Sequence, residues 1–275
     1  KIRMDFVNKN KLYLEKSILV DIYEYLIFVP KSKNELIIAV NKYFKEKSLD
    51  YGNISDWDVS KINDMSELFS NKNYINTLDY DISKWNTSNV INMKKMFYRN
   101  KYLNYKVDIS EWDTSNVTDM ESMFYGCRYF NNDISKWDVS KVRNMKMMFY
   151  GCCNFNVNIN SWDVSNVENM QEMFCDNRKF NKPLNKWKVS KVKNMKGMFN
   201  STFYFDQPLN NWDVSNVENM ESMFSDSFFN QDINNWNVSN VKYMSYMFYH
   251  AFNFITPINN WNISDDAEKD DMYGI

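Results

Sequence analysis

Apolar positions along this chain follow two rhythms, one after the other, and the pair then repeats. Between Asn132 and Phe155, Trp137 and Val139 alternate with Asp138 and Ser140. A period of two predicts a short strand with one buried face. Met145, Met148 and Phe149 then fall at i, i+3 and i+4, which predicts a short helical turn with one shared apolar face. An Asn or Asp stands just before the first Met at Asp64, Asn92, Asp119, Asn144, Asn169, Asn194 and Asn219, where it suits a helix N-cap. The small polar stretch Tyr150 to Asn154 ends the turn, and Phe155 and Asn156 lead into the next strand. Each copy is expected to run strand, turn, short helix, return loop.

Nine tryptophans mark the copies: Trp57, Trp85, Trp112, Trp137, Trp162, Trp187, Trp212, Trp236 and Trp261. Their gaps are 28, 27, 25, 25, 25, 25, 24 and 25 residues. A unit this small cannot bury its own apolar face, whereas stacked copies share one core. The expected fold class is therefore an α/β repeat, a solenoid of about nine coils with indole upon indole inside. The two longer gaps place extra loop residues at Asn73 to Asp79 and Lys101 to Lys106. Residues 1–50 do not repeat and are expected to form a helical N-terminal cap. Ser32 and Glu35 make a capping box, and Leu36, Ile37, Val40 and Phe44 follow at helical spacing over Ser32 to Lys47. Leu12 to Phe28 is a second candidate helix. Residues 51–264 form the repeat region. An acidic tail, residues 265–275, carries Asp265, Asp266, Glu268, Asp270 and Asp271 and suits a solvated end.

Several columns recur. The Trp column keeps step with Val in most copies, so core is preferred to a sugar-stacking platform. One buried Trp removes on the order of 150–250 Å² from water, worth several kcal/mol at roughly 25 cal/mol per Å². The Met column fills irregular gaps between copies. Three residues after every Trp stands a serine: Ser60, Ser88, Ser115, Ser140, Ser165, Ser190, Ser215, Ser239 and Ser264. No base recurs beside it, which excludes a catalytic serine. Its hydroxyl is expected to satisfy a backbone group at the turn. Asn131, Asn156, Asn181, Asp206 and Asn230 resemble an asparagine ladder bonded to neighbouring loops. The residue after Trp is Asp or Asn in eight copies and Lys188 in the other. Calcium is one reading of that row, but it lacks uniform acidity and Gly-rich loops, so a solvated face is preferred.

Composition narrows function mostly by exclusion. With 33 basic and 35 acidic residues and no basic run, no nucleic-acid partner is expected. The apolar stretch Ile18 to Val29 includes Asp21 and Glu24 and is too short to span a bilayer. No transmembrane segment is expected. The chain opens at Lys1 rather than Met, so the lack of a visible signal carries little weight. Cys127 and Cys152 share a column in adjacent copies, about 5 Å apart in a stack, within reach of a disulfide. The preferred reading is a small residue filling a tight slot. A single histidine, His250, and no CxxC pair leave no zinc site. No cofactor, metal or catalytic residue is expected, and the chain is read as not an enzyme.

The phrases Phe180-Asn181-Lys182-Pro183-Leu184-Asn185-Lys186-Trp187 and Trp212-Asp213-Val214-Ser215-Asn216-Val217-Glu218-Asn219-Met220-Glu221-Ser222-Met223-Phe224 resemble the BspA-like leucine-rich-repeat surface proteins. The same repeat is known from mycoplasma surface lipoproteins and giant-virus proteins. The resemblance covers about residues 51–264. It implies a leucine-rich-repeat-like solenoid with an adhesion or interaction role. The function expected is a non-enzymatic scaffold at a cell or virion surface, binding a protein or glycan on one face. The alternative is a packing component of a viral particle or another assembly. A composition rich in Lys, Asn, Ile and Tyr fits a large DNA virus of an amoeba as well as a bacterial cell.

Overall fold

A computed structural model describes residues 27–71, 80–101, 103 and 107–274. The one α-helix among the described residues is α1, Lys33–Lys45, followed by a 3-10 turn at Ile54–Asp56. The Ser32 hydroxyl accepts the Glu35 amide at 3.2 Å, while the Glu35 carboxylate reaches back to the Lys31 amide at 2.7 Å. The capping box thus forms, shifted by one residue on its return arm. Lys47, at φ 52°, ends the helix before its expected limit. Leu36, Ala39, Val40 and Phe44 are buried. They close the first copy: Phe44 meets Phe69 at 6.3 Å and Tyr80 at 4.9 Å, and Phe28 meets Trp57 at 5.1 Å. The second candidate helix, Leu12 to Phe28, lies outside the described residues except at its end, where Ile27 and Phe28 are not helical. The extra loop residues, 73–79 and 101–106, also lie outside them apart from Lys101 and Leu103.

From residue 57 onward the copies lie one on the next in register. Parallel bridges join Asp64, Asn92, Asp119, Asn144, Asn169, Asn194, Asn219, Tyr243 and Glu268 in sequence. The expected short strand is absent among the described residues, because each copy meets its neighbour at one isolated bridge. The expected short helix is also absent. In its place every second amide leaves the copy. In the fourth copy the amides of Met145, Met147, Phe149 and Gly151 donate to carbonyls of Asn169, Gln171, Met173 and Cys175 at 2.8–2.9 Å. The amides between them, Met148, Tyr150 and Cys152, close turns on Met145, Met147 and Phe149 at 3.0–3.2 Å. Met147 is left-handed at φ 55°, the mark of a turn with an αL third residue.

Spacing explains why helices give way to turns. Packed helices need about 8–10 Å between axes. Here the aromatic rings of successive copies repeat at 5.3–5.8 Å from Phe69 through Phe97, Phe124, Phe149, Phe174, Phe199 and Phe224 to Phe248. The indoles of Trp187, Trp212, Trp236 and Trp261 repeat at 6.3–6.4 Å. Both sides therefore step forward at nearly the same pitch, and neither has room for a helix in every copy.

All nine tryptophans are buried, as are the Met and Phe columns. Each indole also carries a hydrogen bond between copies. Trp162 Nε1 donates to the Ile134 carbonyl at 3.1 Å, which accepts the Trp137 amide at 3.2 Å as well. The same bond recurs from Trp85 to Trp261 at 2.9–3.1 Å. Trp57 has no earlier copy and bonds to Tyr51 instead, at 2.8 Å.

The acidic end needs correction. Residues 265–274 do not form a loose tail but continue the ladder. Glu268 bridges Tyr243, and the amides of Met244, Tyr246 and Phe248 donate to carbonyls of Glu268, Asp270 and Met272 at 2.8–3.0 Å. Ala267 and Met272 are buried, and Tyr273 stacks on Phe248 at 5.9 Å. Met272-Tyr273 takes the place of Met-Phe. The five carboxylates stay exposed, so the charge was legible while the fold beneath it was not.

Candidate interaction surface

The predicted columns make bonds both within and between the copies. Serine works through its backbone. The amides of Ser60, Ser115, Ser140 and Ser165 donate to carboxylates of Asp58, Asp113, Asp138 and Asp163 at 2.9–3.1 Å. The hydroxyls of Ser88, Ser215 and Ser239 donate to the same side-chain oxygens, Asn86, Asp213 and Asn237. The expectation that the hydroxyl caps a backbone group is met only at Ser264, among the described residues, where it accepts the Asp266 amide at 3.3 Å. A two-residue Asx turn does that work instead, with the side-chain oxygen of Asp or Asn as the acceptor. The Ser115 hydroxyl and amide hold the Asp113 carboxyl below its ordinary value, and Ser165 does the same for Asp163.

The asparagine ladder runs through side-chain oxygens. Asn131 accepts the Asn156 amide at 2.9 Å, Asn156 that of Asn181, Asn181 that of Asp206, Asp206 that of Asn230, and Asn230 that of Ile255. Cys127 and Cys152 are free thiols that donate to the Phe97 and Phe124 carbonyls at 3.1 and 3.0 Å. Burial pushes both thiols up. Thr202 makes the equivalent bond to Phe174 at 3.2 Å. The column therefore asks for a small donor, and two cysteines meet that need without pairing.

Copies with one backbone ladder and one set of buried columns make the chain a tandem array of a single unit. A family model described as "Mycoplasma protein of unknown function, DUF285" matches it at residues 38–152, 100–204, 124–228 and 185–274. The chain belongs to the DUF285 family. The four overlapping matches step through the array, as an internal repeat requires. No curated protein and no solved structure matches the chain. Among the described residues of this DUF285 array, no helix is long and apolar enough to cross a membrane.

Variation between the copies is concentrated on the outside. One face carries an open groove of about 420 Å³ lined by Glu168, Lys191, Lys193, Glu218 and Lys242. Both of its carboxylates are paired, Glu168 with Arg143 at 3.0 Å and Glu218 with Lys242 at 2.7 Å, while Lys191 donates to the Asn166 side-chain oxygen at 2.7 Å. The second face of note is the return corner, the residues just before the later Phe of each copy. In the third and fifth copies this corner holds Arg128-Tyr129 and Arg178-Lys179; in the fourth it holds Cys153-Asn154. In the sixth to eighth it holds Phe203-Tyr204, Phe228 and Phe252. Tyr204 is 65% exposed, Phe228 50% and Phe252 74%, and nearby Ile255 is 82% exposed. Phe203 meets Phe228 edge to face at 6.1 Å, and His250 lies against Phe252 at 5.6 Å. His250 also contacts Asp226 at 3.1 Å.

Sequence reasoning missed this corner by generalising from one copy. Tyr150 to Asn154 is small and polar, and the same stretch elsewhere is not. The signal was the change from Arg-Lys to Phe-Tyr at matched positions.

Proposed function

We propose that the chain is a non-enzymatic binding scaffold. It is a leucine-rich-repeat-like solenoid of about nine coils, of the BspA-like type, with turns in place of the usual strand and helix. It is displayed on a cell or virion surface and engages a protein or glycan partner. The supporting observation is the contrast between buried columns that hardly change and a return corner that changes from basic to aromatic. Patches of exposed apolar surface of several hundred Å² mark interaction sites on soluble proteins. A repeat array offers such a corner along its whole length.

The test is binding by the intact chain to a glycan array and to surface proteins of the source cell or particle. Substitutions at Tyr204, Phe228 and Phe252 are expected to abolish capture, while substitutions at Glu218 and Lys242 leave it intact. Capture that ignores both sets, or steady turnover of a substrate, would sink the reading.

A further inference from the structure

The binding reading leaves the partner's chemistry open, and the corner narrows it. We propose that the return corner receives an extended protein segment, acidic at one end and apolar at the other. The inference rests on the scaffold reading and names the partner class for that surface.

Three features carry it. The first is the order of chemistry along the stack. Arg128 and Lys179 stand at the corners of the third and fifth copies with no ion-pair partner among the described residues. Arg178 is already engaged by Asp176 at 3.0 Å. The aromatic corners follow without interruption. A ligand lying along this edge meets free cations first, with the single exposed ring of Tyr129 beside Arg128, and an unbroken run of rings next. The second is reach. Copies step forward by about 5 Å, so the third to eighth corners span roughly 25 Å. Extended backbone covers that in about eight residues at ~3.3 Å each. The third is area. The exposed parts of the four aromatic side chains add up to on the order of 400–500 Å², the size expected of a functional patch.

Other partner classes fit less well. A sugar ring stacks on an open aromatic face. Here His250 lies over Phe252 and Phe203 abuts Phe228, so those faces are partly taken and the free edges and gaps suit aliphatic or aromatic side chains. An anionic bilayer that swallowed Phe228 and Phe252 would press exposed Asp206 into its headgroups. Like charges repel there.

Selection by the full chain from a randomised ten-residue peptide library tests the proposal. Enriched peptides are expected to carry Asp or Glu in one half and Phe, Leu or Trp in the other. For an enriched peptide, fluorescence polarisation should show Kd rising at least tenfold in the F228S/F252S variant. The K179E variant should select Lys or Arg in place of Asp or Glu at the charged end. All these positions are exposed, and unchanged thermal unfolding of each variant separates lost contact from lost fold. Enrichment without the charge-to-apolar order overturns the proposal. So does a peptide whose Kd is indifferent to F228S/F252S. If peptides are enriched but depend on Glu218 and Lys242, the corner assignment fails and the scaffold reading stands. If phosphatidylcholine–phosphatidylglycerol vesicles or arrayed glycans bind and peptides do not, the partner class is wrong. If nothing binds, both readings fall.

Discussion

The fourth copy, Asp133 to Phe155, and the eighth, Asp232 to Phe254, are nearly the same inside and unlike outside. Ile134, Trp137, Val139, Val142, Met145, Met148 and Phe149 match Ile233, Trp236, Val238, Val241, Met244, Met247 and Phe248, all buried. At the corner, half-buried Cys153 is replaced by exposed Phe252, and Gly151 by His250. The backbone does not register the change. His250 holds φ 55° where Gly151 holds 66°. A ladder that bonds neighbour to neighbour through the main chain fixes the path, so the outward side chains are free to vary. The difference teaches that stability and recognition are carried by separate columns of one array.

That separation is open to attack, most forcefully from inside. Trp162→Ala should destabilise the chain by about 3–5 kcal/mol, read by chemical denaturation. It empties a buried ring site and removes one of two donors to the Ile134 carbonyl. Trp162→Phe keeps most of the ring and loses the N–H, for a cost of about 1–3 kcal/mol. A loss below 1 kcal/mol in the alanine variant would mean that the indole column is dispensable. Asn181→Ala removes the acceptor for the Asp206 amide and the Gln207 side chain. Its expected cost is about 1 kcal/mol, and a neutral result would reduce the asparagine ladder to a surface ornament.

Three smaller effects sharpen the picture. The Asx-turn carboxylates of Asp113 and Asp163, and those of Asp81 and Asp133, which accept the Ser83 and Ser135 amides at 2.9 and 3.0 Å in a second such turn, have lowered folded values, caused first by serine hydroxyls. A lowered folded value gives stability that is present above the ordinary aspartate pKa of 3.8 and is lost as pH falls through the folded value. Asp119 works the other way, since burial raises it, and acid relieves its cost. Exposed groups are screened, so the melting temperature should fall gently below about pH 4. A chain whose stability rises there would contradict the Asx-turn assignment. Native thiol titration should find one fast thiol, Cys153, with Cys127, Cys152 and Cys175 reacting only after unfolding. Smallest of all, Phe252→Ser should change stability by less than about 0.5 kcal/mol. A larger loss would show the corner to be part of the core.

Much of the arrangement was legible in the residues. The Trp interval marked the stacking unit, and the Trp, Val, Met and Phe columns proved buried. Ser32 placed the start of α1. The asparagine column was correctly tied to neighbouring loops, though its oxygens rather than its amide nitrogens make the bonds. The helical turn was misread for a definite reason. The i, i+3, i+4 spacing of Met145, Met148 and Phe149 also suits two linked turns, and a left-handed third residue is normally announced by Gly. Of the nine residues in that column, from Glu67 to Asp271, only Gly197 is glycine. A left-handed conformation costs a non-glycine residue roughly 1–2 kcal/mol. The hydrogen bonds from each copy to the next offset that strain, and no local pattern reports them. The last copy escaped notice similarly, because its carboxylates hid a Met-Tyr pair that stacks like its predecessors.

Local chemistry was enough to establish a repeating unit, its buried columns and its length, because burial and periodicity are written in residue type and spacing. Three things came only from the assembled chain. They are the replacement of helices by turns, the role of the serines and the exposed aromatic corner. The first follows from the distance of about 5–6 Å between copies, a quantity set by whole copies resting on one another and absent from any single one; the other two follow from which side-chain atoms the folded backbone brings together and which it leaves outside.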